Sequence, residues 1–544
     1  MARAESEQLR TQLSAGQLTS ARATAAGLHR HTWRAQALTA GPAWALGAHV
    51  PILGRPLVVA RGLAQASEEL AGRAIPQAIA AATRIGPGRL RSADGRIDLA
   101  TLRQVEPAVE AVAASVRRAA AITESLPPQT WLHPLDRAAA TAQIEVGKLR
   151  RVATQAVTVS RILPTLFGEG HPRTYFVAFQ NDAEARGTGG LPGAFAILQA
   201  TDGRLEFKNF YPDTELAGVS ADVNLGEAYD TLWGKGVTEN IYVNSNISPH
   251  FPDAARIWAA MWRQKTGQVV DGALALDPET LSYLLAVTGP AALPDGEQVT
   301  AANVVELTQN SSYLRFGADS AGRKQYLIDV ARVVAQKLTA AHGAEAGLLE
   351  AVVRAAGARR LMLWSADPAL QADIERLPVS GSVPQTTAPY AALTVINDGG
   401  NKLDYYLDRS LRWEATTCGA TRAVTVTVEL RNSVPADISS PWITARSDHP
   451  EYPVRPGDNR VLVYYAATDG AQLVSATLDG HRQFIGSGIE RGHPVFSLDV
   501  ELPRMQARRI VLNLLEPAGP DTPIVPEQPL VRPMQISLAQ HRCE

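Results

Sequence analysis

The sequence predicts a multi-domain α+β protein: an N-terminal helical bundle or stalk over residues 1–168, a central α/β sandwich with a mixed sheet over 169–377, and a C-terminal β-sandwich over 378–544. Three observations predict it. A chain of 544 residues exceeds what one hydrophobic core organises. The apolar period changes along the chain, from steps of three and four, to alternating short runs and helical segments, to a period of two. The Pro/Ser/Thr-rich stretch Pro378–Pro389 separates the last two regions.

In the first region Leu102, Val105, Val109, Val112, Val116 and Ala119 recur at helical spacing, as do Leu149, Val152, Ala156, Val159, Leu163 and Leu166. Two long amphipathic helices are expected, with further helices near Leu9–Leu38 and Pro56–Ile85. Their Arg and Glu residues are expected on a solvated face, without chemistry.

In the second region Tyr175–Phe179, Ala194–Leu198, Leu205–Phe210, Ile241–Val243, Ala273–Leu276 and Leu361–Trp364 read as strands. Pro252–Lys265, Glu279–Val287, Ala301–Thr308, Gly322–Ala341 and Ala344–Ala356 read as helices. Alternation of this kind predicts an α/β layer arrangement. Trp258 and Trp262, four apart on one helix, are expected in the core.

In the third region Val424–Leu430, Arg460–Tyr465, Gln472–Leu478, Val495–Leu502 and Arg509–Leu514 are short strands separated by turn residues, the pattern of a β-sandwich. The loop holding Asp448, His449 and Glu451 is explained by its prolines without a metal.

Composition narrows the function classes. With 45% hydrophobic and 19% charged residues and a formal net charge of −2, the chain is neither disordered in bulk nor a strongly basic nucleic-acid binder. The two cysteines, Cys418 and Cys543, sit in the third region and lack metal-ligand spacing. They are either two buried thiols or one disulfide formed in an oxidising compartment. No apolar run reaches the length of a membrane span; the nearest, Ala43–Ala60, is interrupted by His49, Pro51 and Arg55. No signal-peptide pattern opens the chain. It is a cytoplasmic protein or one whose anchor precedes residue 1.

The segment Tyr175–Leu198 carries the strongest functional signal. Two apolar strands flank a polar stretch with Asn181, Asp182, Glu184, Arg186 and Thr188, read as a turn dense in glycine (Gly187, Gly189, Gly190, Gly193). Glycines let backbone N–H groups approach an anion, and a guanidinium offers phosphate a forked donor. The alternative is an ordinary tight connection between buried strands. Asp213 in Asn209–Glu215, and Arg315 and Arg323 in Ser312–Leu327, complete the candidate set. Arg315 and Arg323 also read as solvated helix charges, Asp213 as a cap, and Glu184 as a partner of Arg186.

The order of Asp182, Arg186, Asp202-Gly-Arg204, Pro212-Asp-Thr214, Asn224–Tyr229 and Arg323-Lys-Gln325 resembles the LytR-CpsA-Psr family of envelope phosphotransferases, which move polyprenyl-pyrophosphate-linked glycopolymers onto peptidoglycan. A closer resemblance is to an actinobacterial family described as a domain of unknown function. Its Asn-x-Ala-Glu-x-Arg-x-Thr-Gly-Gly signature is matched by residues 181–190, and its Asn-x-Gly-x-Asn-Lys-x-Asp-Tyr-Tyr segment by Asn397–Tyr406. That family places a transmembrane helix before the helical region. The resemblance therefore implies an extracytoplasmic, membrane-anchored protein of the cell envelope, held by a helix outside this chain, with a lipid-linked glycan or wall polysaccharide as partner and no nucleic acid.

Carried onto this sequence, the resemblance makes Asp182, Arg186 and Asp213 catalytic, with Asp182 the ligand of a Mg2+ ion. Asn181, Glu184, Thr188, Gly189, Gly190, Arg315 and Arg323 would bind substrate. The physical logic is that a pyrophosphate needs several guanidinium groups and a hard cation. The three arginines are then expected to converge at one mouth of the α/β domain, and Cys418 to pair with Cys543. Two departures stand out: the transferases' Arg-Ser-Asp-Thr is Arg186-Gly-Thr-Gly189 here, and their Ile-Pro-Arg-Asp-Thr is Phe210-Tyr-Pro-Asp-Thr214. Two further readings remain: a non-catalytic envelope scaffold, and a polysaccharide hydrolase pairing Asp182 with Glu184 or Asp213.

Overall fold

The computed structural model describes residues 5, 7–9, 11–12, 17–84, 90–92, 94–234, 236–341, 343–519 and 522–542. The chain divides into two compact units, one of 1–172 with 200–205 and 342–346, the other of 173–199, 206–341 and 347–544.

The first unit is helical. Helices span Leu18–Thr39, Pro42–Ala48, Arg55–Glu68, Ile75–Arg84, Leu99–Glu124 and His133–Leu166, with a π-helical stretch at Glu69–Ala74. Asp98 caps the fifth of these, accepting from the Thr101 N–H at 3.1 Å, which satisfies one of the helix's free donors. Small side chains let the helices approach closely: Ala66, Ala119, Ala120 and Val146 form one cluster, and Leu9, Ala21, Ala25, Leu28, Ala71 and Ile79 another. The long helix His133–Leu166 does not bury the stripe expected of it. Leu149 and Val152 are exposed, and Ala139, Val146, Thr158 and Ile162 face inward. Alanine all round this helix leaves periodicity with little contrast to choose a face.

The second unit contains a five-stranded mixed sheet. Its strands are β1 (Arg173–Arg186), β2 (Gly189–Thr201), β3 (Arg204–Pro212), β4 (Gly272–Leu276) and, after the two-residue strands β5 (Ala291–Ala292) and β6 (Gln298–Val299), β7 (Leu361–Ser365), in the order β3-β2-β1-β4-β7. β1 runs parallel to β4, with Tyr175 opposite Gly272 and Phe179 opposite Leu276, and β7 is antiparallel to β4. Phe176, Phe195, Trp258 and Trp262 fill the core under this sheet. The expected strand at Ile241–Val243 is instead a 3-10 turn, Tyr242–Asn244, whose buried Tyr242 packs on Phe195. A triplet of β-branched and aromatic residues alone does not distinguish the two.

The same unit holds a sandwich of two sheets. β8 (Ala391–Asn397), β9 (Leu407–Cys418), β10 (Thr421–Asn432), β11 (Asn459–Ala467), β12 (Gln472–Leu478), β13 (His481–Arg482), β14 (Gly486–Glu490), β15 (His493–Leu502), β16 (Ala507–Pro517) and β17 (Gln535–Arg542) pair as β13-β12-β16-β10-β9-β17 and β14-β15-β11-β8. Strict alternation of burial along β9, β10 and β11 places Trp413, Val426 and Val461 between the sheets. The boundary expected at 377/378 falls inside this one unit. Ala185 of β1 belongs to the sandwich core, and Ile396 of β8 to the core under the mixed sheet.

β17 lies parallel on β9, with Arg542 opposite Thr417. Cys418, the next residue of β9, is disulfide-bonded; Cys543 lies outside the described residues.

Candidate functional site

Register explains where the signature stands. β4 ends at Leu276, opposite Phe179, so β1 continues past its neighbour for the whole of Gln180–Arg186. These residues are strand, and the turn is only Gly187-Thr188. The overhang packs on the sandwich and on the 3-10 turn Leu403–Tyr406 that follows β8.

Arg186 is buried and its guanidinium has no donor to spare. Its five N–H groups go to the Val243 carbonyl (3.1 Å), the Ala185 and Asn397 carbonyls (2.9 and 3.3 Å), Glu184 Oε1 (3.1 Å) and Asn244 Oδ1 (3.1 Å). It joins β1, the 242–244 turn and β8. The expectation of a free pyrophosphate clamp is therefore corrected. Glu184 also accepts from the Lys402 ammonium. Burial pushes the Glu184 carboxyl up, but Lys402 and Arg186 outweigh it and hold the group ionised, below its ordinary range. Lys402 is desolvated too, and Glu184 keeps its pKa raised.

The segment Asn397–Tyr406 completes this bracket. Asp404, fully buried, accepts from the Ala185 N–H, Asn397 Nδ2 and Asn459 Nδ2, each at 2.8 Å. Asn397 Oδ1 accepts from the Gly400 N–H at 2.7 Å, and Asn401 Nδ2 donates to Asn459 Oδ1 at 3.1 Å. Asn181 donates to the Tyr313 hydroxyl at 2.6 Å, and Tyr406 donates to Asn310 Oδ1 at 2.9 Å.

The glycines serve the chain's own packing. A Cβ on Gly187 would come within 2.0 Å of the Ile247 carbonyl oxygen, and one on Gly190 within 2.1 Å of the Asn181 backbone. Gly189 has φ +135°, a conformation L side chains rarely adopt. Thr188 is buried, its hydroxyl accepting from Gln180 Nε2 at 2.5 Å and Asn246 Nδ2 at 2.8 Å. Asn246 also donates to the Gly190 carbonyl at 2.9 Å.

Asp182 is 1% exposed. Asp277, the residue after β4, lies beside it, and Arg360 reaches both carboxyls, at 3.5 Å from Asp182 and in closer contact with Asp277. Burial, then the Asp277 charge, push the Asp182 carboxyl well above its ordinary range, against Arg360. Asp277 is held by capping the following helix through the Thr280 N–H at 2.7 Å. This donor set does not fit the Mg2+ expected at Asp182. The guanidinium of Arg360 already lies against both carboxyls and supplies the positive charge a cation would bring. Among the described residues no group of three or more His, Cys, Asp or Glu is arranged around a metal position.

The other two arginines have different surroundings from Arg186 and from each other. Arg315 is half exposed, paired with Glu297 at 2.7 Å and lying over Tyr326. Arg323 is 5% exposed, sandwiched with its guanidinium carbon 4.7 Å from the Tyr313 ring centroid and 4.3 Å from that of Trp442. Its Nη1 has no hydrogen-bond partner. Asp213 pairs with Lys324 at 2.6 Å and accepts from the Thr214 N–H at 2.9 Å. Of the candidates, Asn181 and Arg323 meet through Tyr313, and Glu184 joins them through Lys402, whose ammonium lies 5.6 Å from the same ring.

Sequence reading missed Asp277, Arg360, Tyr313, Lys402 and Asp404 as members of these networks. Asp277-Pro-Glu-Thr280 after an apolar strand is a helix-start pattern that marks Asp277. Lys402 and Asp404 lie in Asn397–Tyr406, but nothing local couples them to β1.

Residues 170–313 match the model of a family described as a protein of unknown function, DUF4012. That match covers the signature strand, its hairpin and Tyr313. No curated protein matches the chain. Among solved structures, a two-domain M1 zinc metallopeptidase mutant bound to L-tryptophan is 16% identical over 22% of this chain and 23% of its own, with a TM-score of 0.13. An X-ray structure of a Listeria innocua protein is 11% identical over 41% of this chain and 85% of its own, with a TM-score of 0.21. The chain thus spans under a quarter of the length of the first.

Proposed function

We propose that this DUF4012-like chain is a non-catalytic scaffold of the cell envelope, and that its two signature segments are an internal bracket locking the mixed sheet to the β-sandwich. The observation that carries this reading is Arg186: all five of its N–H groups are consumed inside the protein, so the residue expected to grip phosphate has nothing left to offer. Glu184 and Asp404 are committed in the same way, and Lys402 is paired with Glu184. The disulfide at Cys418 supports an extracytoplasmic setting, because such bonds persist where the environment oxidises. The resemblance to envelope families points the same way. A scaffold of this design holds a large β surface rigidly against its α/β partner and presents it to wall polymer.

The reading is tested by incubating the protein with a polyprenyl-diphosphate-linked saccharide and Mg2+ and following cleavage at phosphorus by thin-layer chromatography. The expected result is no turnover. Turnover that Arg186→Lys abolishes in a folded protein overturns the scaffold and restores the phosphotransferase.

A further inference from the structure

The helical unit carries a second feature, remote in sequence from the signature. Between Glu7 and Glu68 the chain contains no Asp or Glu, while Arg10, Arg22, Arg30, Arg34, Arg55 and Arg61 fall in that interval; no Arg or Lys occurs from Ala35 to Gly54. This uncharged stretch is the end of a helical hairpin. The helix Leu18–Thr39 turns into the short helix Pro42–Ala48, and the chain returns as Arg55–Glu68.

The turn is built, not frayed. The Trp44 indole donates to the Leu57 carbonyl at 3.0 Å, the Leu53 N–H to Pro51 at 2.7 Å and the Gly54 N–H to Val50 at 2.8 Å. A Cβ on Gly54 would come within 2.5 Å of the Ala48 carbonyl oxygen, so only glycine closes the loop.

Despite this order, the turn shows its large apolar side chains to solvent: Leu38 is 79% exposed, Leu46 74%, Ile52 67% and Leu53 64%, with Trp33 and Val50 beside them. Folded proteins rarely leave such a concentration of apolar surface without a partner. Arg30, Arg34 and Arg55, all exposed, stand just behind it.

We propose that this tip is a peripheral membrane contact, inserting Leu46, Ile52 and Leu53 into the interface of an anionic lipid bilayer while the arginines meet the headgroups. The charge pattern selects the occupant. Glu68 and Glu5 lie further back, against His29 at 3.1 Å and His31 at 3.5 Å, so the point itself, with Arg34 and Arg55 behind it and no Asp or Glu from Thr32 to Ser67, complements a negatively charged, apolar-cored layer. No described helix is long and apolar enough to cross a membrane, so the contact lies in the interface plane. It is independent of the bracket, whose residues belong to the other unit.

The test is flotation of the whole chain with vesicles of phosphatidylcholine alone or mixed with phosphatidylglycerol, at low and high salt. Wild type should float with the anionic vesicles, less so at high salt. Leu46→Glu/Ile52→Glu/Leu53→Glu and Arg34→Glu/Arg55→Glu should each lower partitioning by about tenfold or more, with unchanged melts and circular dichroism because the altered side chains are exposed. Failure of wild type to float, or flotation of the triple variant as wild type, overturns the proposal. Self-association of wild type without lipid binding, abolished in the triple variant, overturns it in favour of an interface between copies.

Discussion

Glu184 and Lys402, 218 positions apart, form a buried ion pair that joins the signature strand to the loop after β8. Only 14% of the Lys402 side chain and 8% of the Glu184 side chain are exposed, so removing one partner leaves the other largely desolvated and uncompensated. A double-mutant cycle with Glu184→Gln and Lys402→Met, read by urea unfolding, should give a coupling energy of about 1 to 3 kcal/mol. Additive losses would show that the two residues do not work as a unit.

The Asp182 and Asp277 variants should separate in effect. Burial and the Asp277 charge disfavour the ionised form of Asp182, so Asp182→Asn, which keeps the shape and adds no charge, should cost less than the matching change at Asp277. Asp277→Asn removes the carboxylate that neutralises Arg360 and should cost about 3 to 5 kcal/mol. Melting with and without Mg2+ checks the same pair. A wild-type melt that Mg2+ raises, and that Asp182→Asn no longer responds to, would reinstate the cation site.

Stability should fall as pH rises through the acidic range. Burial raises the Glu490 carboxyl from 4.5 to about 7, where it accepts from the Trp233 indole at 2.6 Å, and burial raises Asp253 to about 6. A carboxyl whose folded pKa lies above its unfolded one holds its proton more tightly in the native state. The contribution is present in full below about pH 4.5 and is lost as pH climbs to about 7. Glu490→Gln keeps an acceptor for Trp233 and should flatten the profile between those limits by up to about 3 kcal/mol. An unchanged profile in the variant would rule Glu490 out as its source.

Thiol titration of the unreduced, denatured protein should find no free thiol, since Cys418 is bonded and the chain has only one other cysteine. Reduction should lower stability by about 2 to 4 kcal/mol, because the bridge restrains a long loop of the unfolded chain. Two titratable thiols would remove the disulfide and with it the support for an oxidising compartment.

Most individual elements were legible in the sequence. Tyr175–Phe179, Ala194–Leu198 and the helix around Trp258 carry local period and propensity, and local rules suffice for them. The signature was legible as a special segment but not as a special kind. Asn181–Arg186 reads as a turn because polar residues next to glycines usually are one; it is instead the end of β1, next to β2 in the sheet, with further partners in Lys402, Asp404 and Asn397 from more than two hundred residues away. Long-range pairing of this kind leaves no trace in a local window. The same holds for Asp182, whose protonation is set by Asp277 and Arg360, and for Arg315 and Arg323, whose different surroundings depend on Glu297 in one case and Trp442 in the other.

Arg186 is where the bracket and the phosphate clamp diverge most. Urea unfolding of Arg186→Ala beside wild type, with lipid-pyrophosphate binding measured on the same samples, tests the account most directly. The bracket predicts a loss of about 3 to 5 kcal/mol, since the substitution frees three backbone carbonyls and the Asn244 side chain of their donor and leaves Glu184 one cation short, with only partial recovery in Arg186→Lys. An Arg186→Ala protein that unfolds with wild type but has lost its affinity for the lipid pyrophosphate would contradict it.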